Sequence, residues 1–149
     1  MCIRDSLLDY CTRLREWHKL KETLIDQDLS TICIAVDRFW QRAPISTHYL
    51  HPADVVDWPG PWELINDNEY CIYGRGLGMI YTLMLLGINN IDFVEAIDYN
   101  RENVVLVLVD NAKYVMNYWP DSVLNISLAD FTVTKNINIS SLKQKIGNE

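Results

Sequence analysis

A thiol, two closely spaced imidazoles and a scatter of carboxylates and amides are the groups in this chain with chemistry to offer. Cys71 opens a long apolar stretch that runs to Leu86. A cysteine at the start of a helix lies against the positive end of the helix dipole and unpaired main-chain N–H groups, which favour the thiolate that acts as a nucleophile. The same residue also suits a packed role, since free cysteine is among the most buried residue types. His48, His51, Asp54 and Asp57 recur every three residues and are competent ligands for a divalent cation. Pro52 interrupts any continuous helix through them, and helix capping with solvated charge accounts for them more simply, so no metal is expected. Gly74-Arg75-Gly76-Leu77-Gly78, with Asp98 twenty residues beyond Gly78, has the parts of a phosphate-cradling loop and its ribose acid. The strand ahead of it would span only Tyr70 to Tyr73, and the residues beyond Asp98 read as a hairpin rather than a crossover helix. Glycines that let another element pack closely on a helix are the simpler account, and no cofactor is expected.

The elements that must position these groups are legible from periodicity. Leu7, Cys11, Leu14, Trp17 and Leu24 recur at helical spacing between charged residues, which predicts an amphipathic helix from Leu7 to about Leu24. A second helix is predicted from Asp28, its cap, with Leu29, Ile32, Cys33, Val36, Phe39 and Trp40 on one face and Pro44 as its stop. Residues 44 to 70 hold four of the five prolines and read as a long connection with one short helix after Pro52. The Cys71 segment predicts a mostly buried helix closed by Gly87. Then the grammar changes: Ile91 to Ile97, Val104 to Val109, Tyr114 to Trp119, Val123 to Leu128 and Phe131 to Ile137 read as strands, with the valine-rich run central and covered on both faces. Helices first and an antiparallel sheet of four to five strands second is an α+β plan.

At 149 residues the chain is the size of one domain that buries roughly 70% of its unfolded surface. Residues 1–6 read as a non-native leader, 7–139 as the domain and 140–149 as a polar tail expected to fray. A formal charge of −7 weighs against duplex nucleic acid, whose affinity comes largely from Lys and Arg. Four cysteines without a Cys-x-x-Cys pair suggest reduced thiols of cytoplasmic type. No apolar run approaches the ~20 residues of a membrane span. The Trp58-Pro59-Gly60-Pro61-Trp62 segment, with Tyr49 nearby, offers either an aromatic surface for a protein partner or a clamp holding a long loop on the core.

From Tyr70 to Ile88 a cysteine opens an apolar helix that ends in Leu86-Gly87-Ile88 and is followed by a strand and a hairpin. This arrangement resembles the core of the transglutaminase-like and papain-like cysteine hydrolases, over roughly residues 62–121. The resemblance implies Cys71 as nucleophile, a histidine base at the start of the next long strand and an orienting Asn or Asp on the returning one. Asn117 or Asp121 matches the third position. Glu102 and Asn103 stand where the base belongs, so His48 or His51 would have to substitute from upstream. The overall character also resembles small proteins of marine tailed phages, which implies a host cytoplasm. Two functions are therefore expected: a non-enzymatic binding or accessory protein on this fold, or a hydrolase or acyl-transferase acting on amide bonds.

Overall fold

The computed structural model describes residues 10–43, 50, 52–67 and 70–147. Among the described residues, five helices pack with a four-stranded antiparallel sheet, the α+β arrangement expected from the order of elements. Helices α1 (Tyr10–Leu24) and α2 (Leu29–Gln41) lie where periodicity puts them, with Asp28 in the cap position of α2 accepting a hydrogen bond from Ser30 Oγ at 2.7 Å. The connection after α2 is more structured than its prolines suggest. It contains a 3-10 turn (Pro52–Asp57) and a further helix, α3 (Pro61–Asp67), whose proline stands at the first helical position, where the missing N–H costs nothing. Arg13 of α1 is buried and donates to the carbonyls of Ile65 and Asn66, satisfying the end of α3 from a neighbouring helix. Trp58 is 3% exposed, edge-on to Phe93 and tilted against Tyr73. Trp62 is half-buried edge-on to Trp17. The tryptophan segment is thus a clamp: Trp58 offers no surface to a partner, and Tyr49 lies outside the described residues.

Helix α4 (Ile72–Leu85) is the buried axle of the fold. Gly87, at φ +86, ends it as the sequence predicts, with Gly87 N–H donating to Met84 O and Ile88 N–H to Leu83 O, a pattern that closes the last carbonyls. The Gly74-to-Gly78 run lies inside α4, so it is not a phosphate-cradling loop. A Cβ at Gly78 would stand 2.5 Å from the Trp40 ring, and one at Gly76 would stand 2.7 Å from Phe93, so these glycines allow α2 and the sheet to approach. Where the helices meet, Thr82 Oγ1 accepts from both Trp17 Nε1 (2.9 Å) and Trp40 Nε1 (3.0 Å) while donating to Gly78 O (2.8 Å).

The sheet runs in the order β3-β2-β1-β4, with β1 (Ile91–Ile97), β2 (Asn103–Val109), β3 (Tyr114–Met116) and β4 (Thr132–Ile137). Alternation along β2 sends Val105, Val107 and Val109 toward the helices and Leu106 and Leu108 into a second, smaller cluster on the far face. The valine-rich strand is therefore interior and covered on both faces, as its composition predicts. The returning strand is shorter than the expected Tyr114 to Trp119, because Asn117 takes φ 70 and turns the chain away after Met116. Val123 to Leu128 is not a strand. Val123 joins the main core and Leu124 stands in solvent, while Ile126 and Leu128 cover the far face, joining Tyr118 and Phe131 over Val94, Leu106 and Val115. That excursion carries the chain from the β3 edge to the opposite edge, where β4 pairs with β1. The residues after Ser140, expected to fray, form α5 (Leu142–Gly147) with Leu142 fully buried and Lys145 Nζ donating to Val56 O at 2.9 Å. No helix among the described residues is long and apolar enough to cross a membrane.

Candidate functional site

Cys71 is itself the N-cap residue of α4, in an extended conformation (φ −100, ψ −175), and its carbonyl accepts the N–H of Arg75 at 3.0 Å. Cys71 thus stands at the cap of the helix rather than inside its first turn. Its side chain is 8% exposed, and its Sγ accepts the N–H of Leu50 at 3.5 Å. The backbone of Leu50 therefore lies against the thiol. Arg75, one turn further along α4, donates from Nε to Ala43 O at 3.0 Å and from Nη2 to the same oxygen, fastening the end of α2 to the head of α4.

Asn117 is brought to the same helix head. Its left-handed backbone aims the carboxamide across the end of the sheet, and Nδ2 donates to Ile72 O and to Val105 O, each at 3.0 Å. Both amide hydrogens are thus committed to main-chain carbonyls, which ties α4 to β2. Its own N–H is held by Asp37 Oδ1 at 2.9 Å. Asp121 goes elsewhere: it is exposed and pairs with Arg38 Nε of α2 at 2.6 Å. His48 and His51 lie outside the described residues. His18, on α1, lines a separate cavity with Lys21 and Leu24, and burial, aided by the Lys21 charge, lowers its pKa. At the strand start where the resemblance asks for a histidine, Glu102 and Asn103 line a cavity of about 200 Å³ beside Ile72, Asn117 and Trp119. Cys71 is not among the described residues that line it.

This groove is well organised. Asp98, 5% exposed, accepts the N–H groups of Asn100 and Glu102 on Oδ1 and the Tyr118 hydroxyl on Oδ2, all at 2.9 Å. The Glu102 N–H, then the Tyr118 hydroxyl and the Asn100 N–H, hold its carboxyl below the usual carboxylate range. Asp98 therefore shapes the β1–β2 turn. Large apolar side chains stand in solvent nearby: Ile72 is 46%, Trp119 62% and Tyr99 76% exposed.

Two acids of the site escape sequence reasoning. Glu95 Oε1 accepts the Tyr73 hydroxyl at 2.9 Å on the helix side of the sheet. Asp37, 1% exposed, holds Asn117 through Oδ1 and receives Gln41 Nε2 at 3.4 Å, while Gln41 also donates to Tyr118 O at 3.2 Å. Burial is the main reason that its carboxyl lies above its ordinary value. The sequence does carry a signal for Asp37: it falls four residues after Cys33 and three before Trp40, on the apolar face of α2. Cys33, fully buried, is pushed up to about 12 by burial, with Asp37 and Asp110 adding to the shift, and is a core thiol. No group of three or more His, Cys, Asp or Glu suited to a metal ion gathers among the described residues. No protein-family model matches the chain, and no curated protein matches it significantly.

Proposed function

We propose that this chain is a non-enzymatic binding or accessory protein, built on a transglutaminase-like core, that takes its partner in the groove at the head of α4. One observation carries the reading. The groove is walled by Ile72, Asn117 and Trp119, whereas Cys71 is 8% exposed with its sulfur on the N–H of Leu50. Exposed Trp119, Tyr99 and Ile72 supply the rigid apolar anchors typical of binding hot spots. Glu102 on the rim and a net charge of −7 favour a protein segment that presents an apolar residue next to a basic one.

A second reading, a cysteine hydrolase or acyl-transferase with Cys71 as nucleophile, draws support from Asn117 standing at the carbonyl of Ile72, one residue beyond Cys71. It asks more of the site, because the Asn117 amide hydrogens are already donated and Asp121 is paired with Arg38. Iodoacetamide alkylation of the native protein across pH, with Cys71→Ala as the control, separates the two. A binding protein labels first at exposed Cys11, and Cys71 reacts only on unfolding. Rapid labelling of Cys71 that persists well below pH 7 would overturn this reading in favour of the hydrolase.

A further inference from the structure

Three features of the groove at the head of α4 ask for the same kind of ligand group. Its rim carboxylate is uncommitted: Glu102 is exposed, and among the described residues it joins no ion pair and no side-chain hydrogen bond. Its amide acceptor is fixed in direction. Both Asn117 amide hydrogens are donated, to Ile72 O and Val105 O, which sets the plane of the carboxamide and leaves Oδ1 with no donor among the described residues. Asn117 is only half-buried, so this oxygen is not sealed in the core. Its aromatic wall is open and held in place. Trp119 stands largely in solvent at 81° to the Tyr118 ring, centroids 6.2 Å apart, and the Tyr118 hydroxyl is anchored on Asp98.

We infer that the groove receives an arginine side chain of the partner, its guanidinium stacked on Trp119 and hydrogen-bonded to Glu102 and Asn117 Oδ1. This rests on the binding reading above and names the residue that the partner inserts. Size sets the scale: about 200 Å³ falls below the roughly 300–1,000 Å³ of sites for drug-sized ligands and cofactors, and suits one side chain. Charge sets the sign, since Glu102 and Asp98 both line the groove and no Lys, Arg or His does. Asp98 spends its oxygens on three donors and so contributes field rather than a contact. Shape selects arginine over lysine. A guanidinium is planar and weakly hydrated, stacks on aromatic faces, and directs several N–H groups outward in one plane, so it can reach a carboxylate and an amide oxygen at once. An ammonium is a compact, strongly hydrated point charge that gains less from such a wall. Exposed Ile72 and half-buried Val104 offer apolar surface to the methylenes behind the head group.

The test is a titration of the ¹⁵N-labelled full chain followed by heteronuclear NMR, reading the Trp119 indole N–H and the Asn117 carboxamide. The probes are Nα-acetyl-arginine methylamide, Nα-acetyl-lysine methylamide and, as a neutral isostere, Nα-acetyl-citrulline methylamide, all at constant ionic strength. The expected result is a saturable shift of both signals with the arginine derivative, at an affinity about fivefold or more above that of the other two. Glu102→Gln and Trp119→Leu change exposed side chains outside the core, and each is expected to weaken arginine binding by about two- to fivefold. No saturable shift with the arginine derivative, equal binding of the lysine or citrulline derivative, or undiminished binding in both variants would overturn the inference. Iodoacetamide reactivity of Cys71 in the same samples keeps the two conclusions apart. If arginine binding fails while Cys71 stays unreactive, only the choice of anchor falls; rapid Cys71 labelling well below pH 7 removes the binding reading and the anchor with it.

Discussion

Three glycines in one helix make a sharp test of how α4 is packed, because they differ only in what lies in front of them. At Gly74 a new Cβ would meet Tyr70 at 3.6 Å and Leu50 at 4.0 Å, which is ordinary contact. Gly74→Ala should therefore simply recover helix propensity, about 0.5–1 kcal/mol of added stability. At Gly78 the Cβ would stand 2.5 Å from two ring carbons of Trp40, about 1 Å inside the usual 3.5–4.0 Å carbon contact. The ring has nowhere to go: it is 1% exposed, its Nε1 is bonded to Thr82, and Phe39 and Tyr70 stand edge-on to it. Overpacking costs about 1–3 kcal/mol, and a pinned ring puts this site at the upper end. After the propensity gain, Gly78→Ala should lose about 2 kcal/mol. In a domain of this size that is a Tm lower by about 4–8 °C, against a rise of about 1–4 °C for Gly74→Ala. Thermal denaturation followed by circular dichroism, with urea midpoints alongside, reads both. Equal signs for the two variants would refute the close-approach account of the glycine run.

Thr82→Val keeps the shape but strips the acceptor shared by Trp17 and Trp40, leaving two buried indole N–H groups unsatisfied; a loss of about 2–5 kcal/mol in urea unfolding is expected, with Thr82→Ser retaining most of the stability. Asp37 should leave a signature in pH. Because burial favours its neutral form, the native chain keeps this proton where the unfolded chain has lost it, so the stability it contributes is fully present below about 3.8 and declines as pH rises through the raised native value. Denaturation midpoints at pH 4 and pH 7 should therefore differ less in Asp37→Asn than in the wild type, and identical differences would show that Asp37 does not titrate in this window.

The length of each signal governs how legible an element is in the sequence. The Ile32-to-Trp40 face of α2, the apolar α4 and the Val104-to-Val109 strand are sustained patterns, and each forms with nearly the expected bounds. Helix α3 is seven residues long and opens on a proline that also reads as loop punctuation, so its Trp62, Leu64 and Ile65 face is hidden among turn signals. Helix α5 carries its packing on Leu142 and Ile146, too few apolar residues to stand out in a polar tail. Val123 to Leu128 is irregular, with Val123 in the main core, Leu124 in solvent and Ile126 and Leu128 over the far face of the sheet, and its apolar spacing imitates the alternation of a strand. At the site, Asn117 is eligible by its position after the returning strand and does reach the head of α4. Asp121, four residues on, is equally eligible by spacing, and a second left-handed turn at φ 62 carries it to α2 instead.

Asn117 also shows why Asp37 and the groove at the head of α4 are mechanically joined. Its N–H rests on Asp37 of α2, its carboxamide holds Ile72 of α4 and Val105 of β2, and its neighbours Tyr118 and Trp119 form a wall of the groove. Gln41 reinforces the link by bridging Asp37 to Tyr118 O. A strained left-handed asparagine is kept because three elements at once depend on where it points. Packing enforces the same geometry: a Cβ on Gly76 would lie 3.1 Å from Asn117 Nδ2, so the bare glycine is what leaves room for the carboxamide between helix and sheet. The glycine run, the buried acid and the exposed tryptophan, which look unrelated along the chain, thus converge on one asparagine.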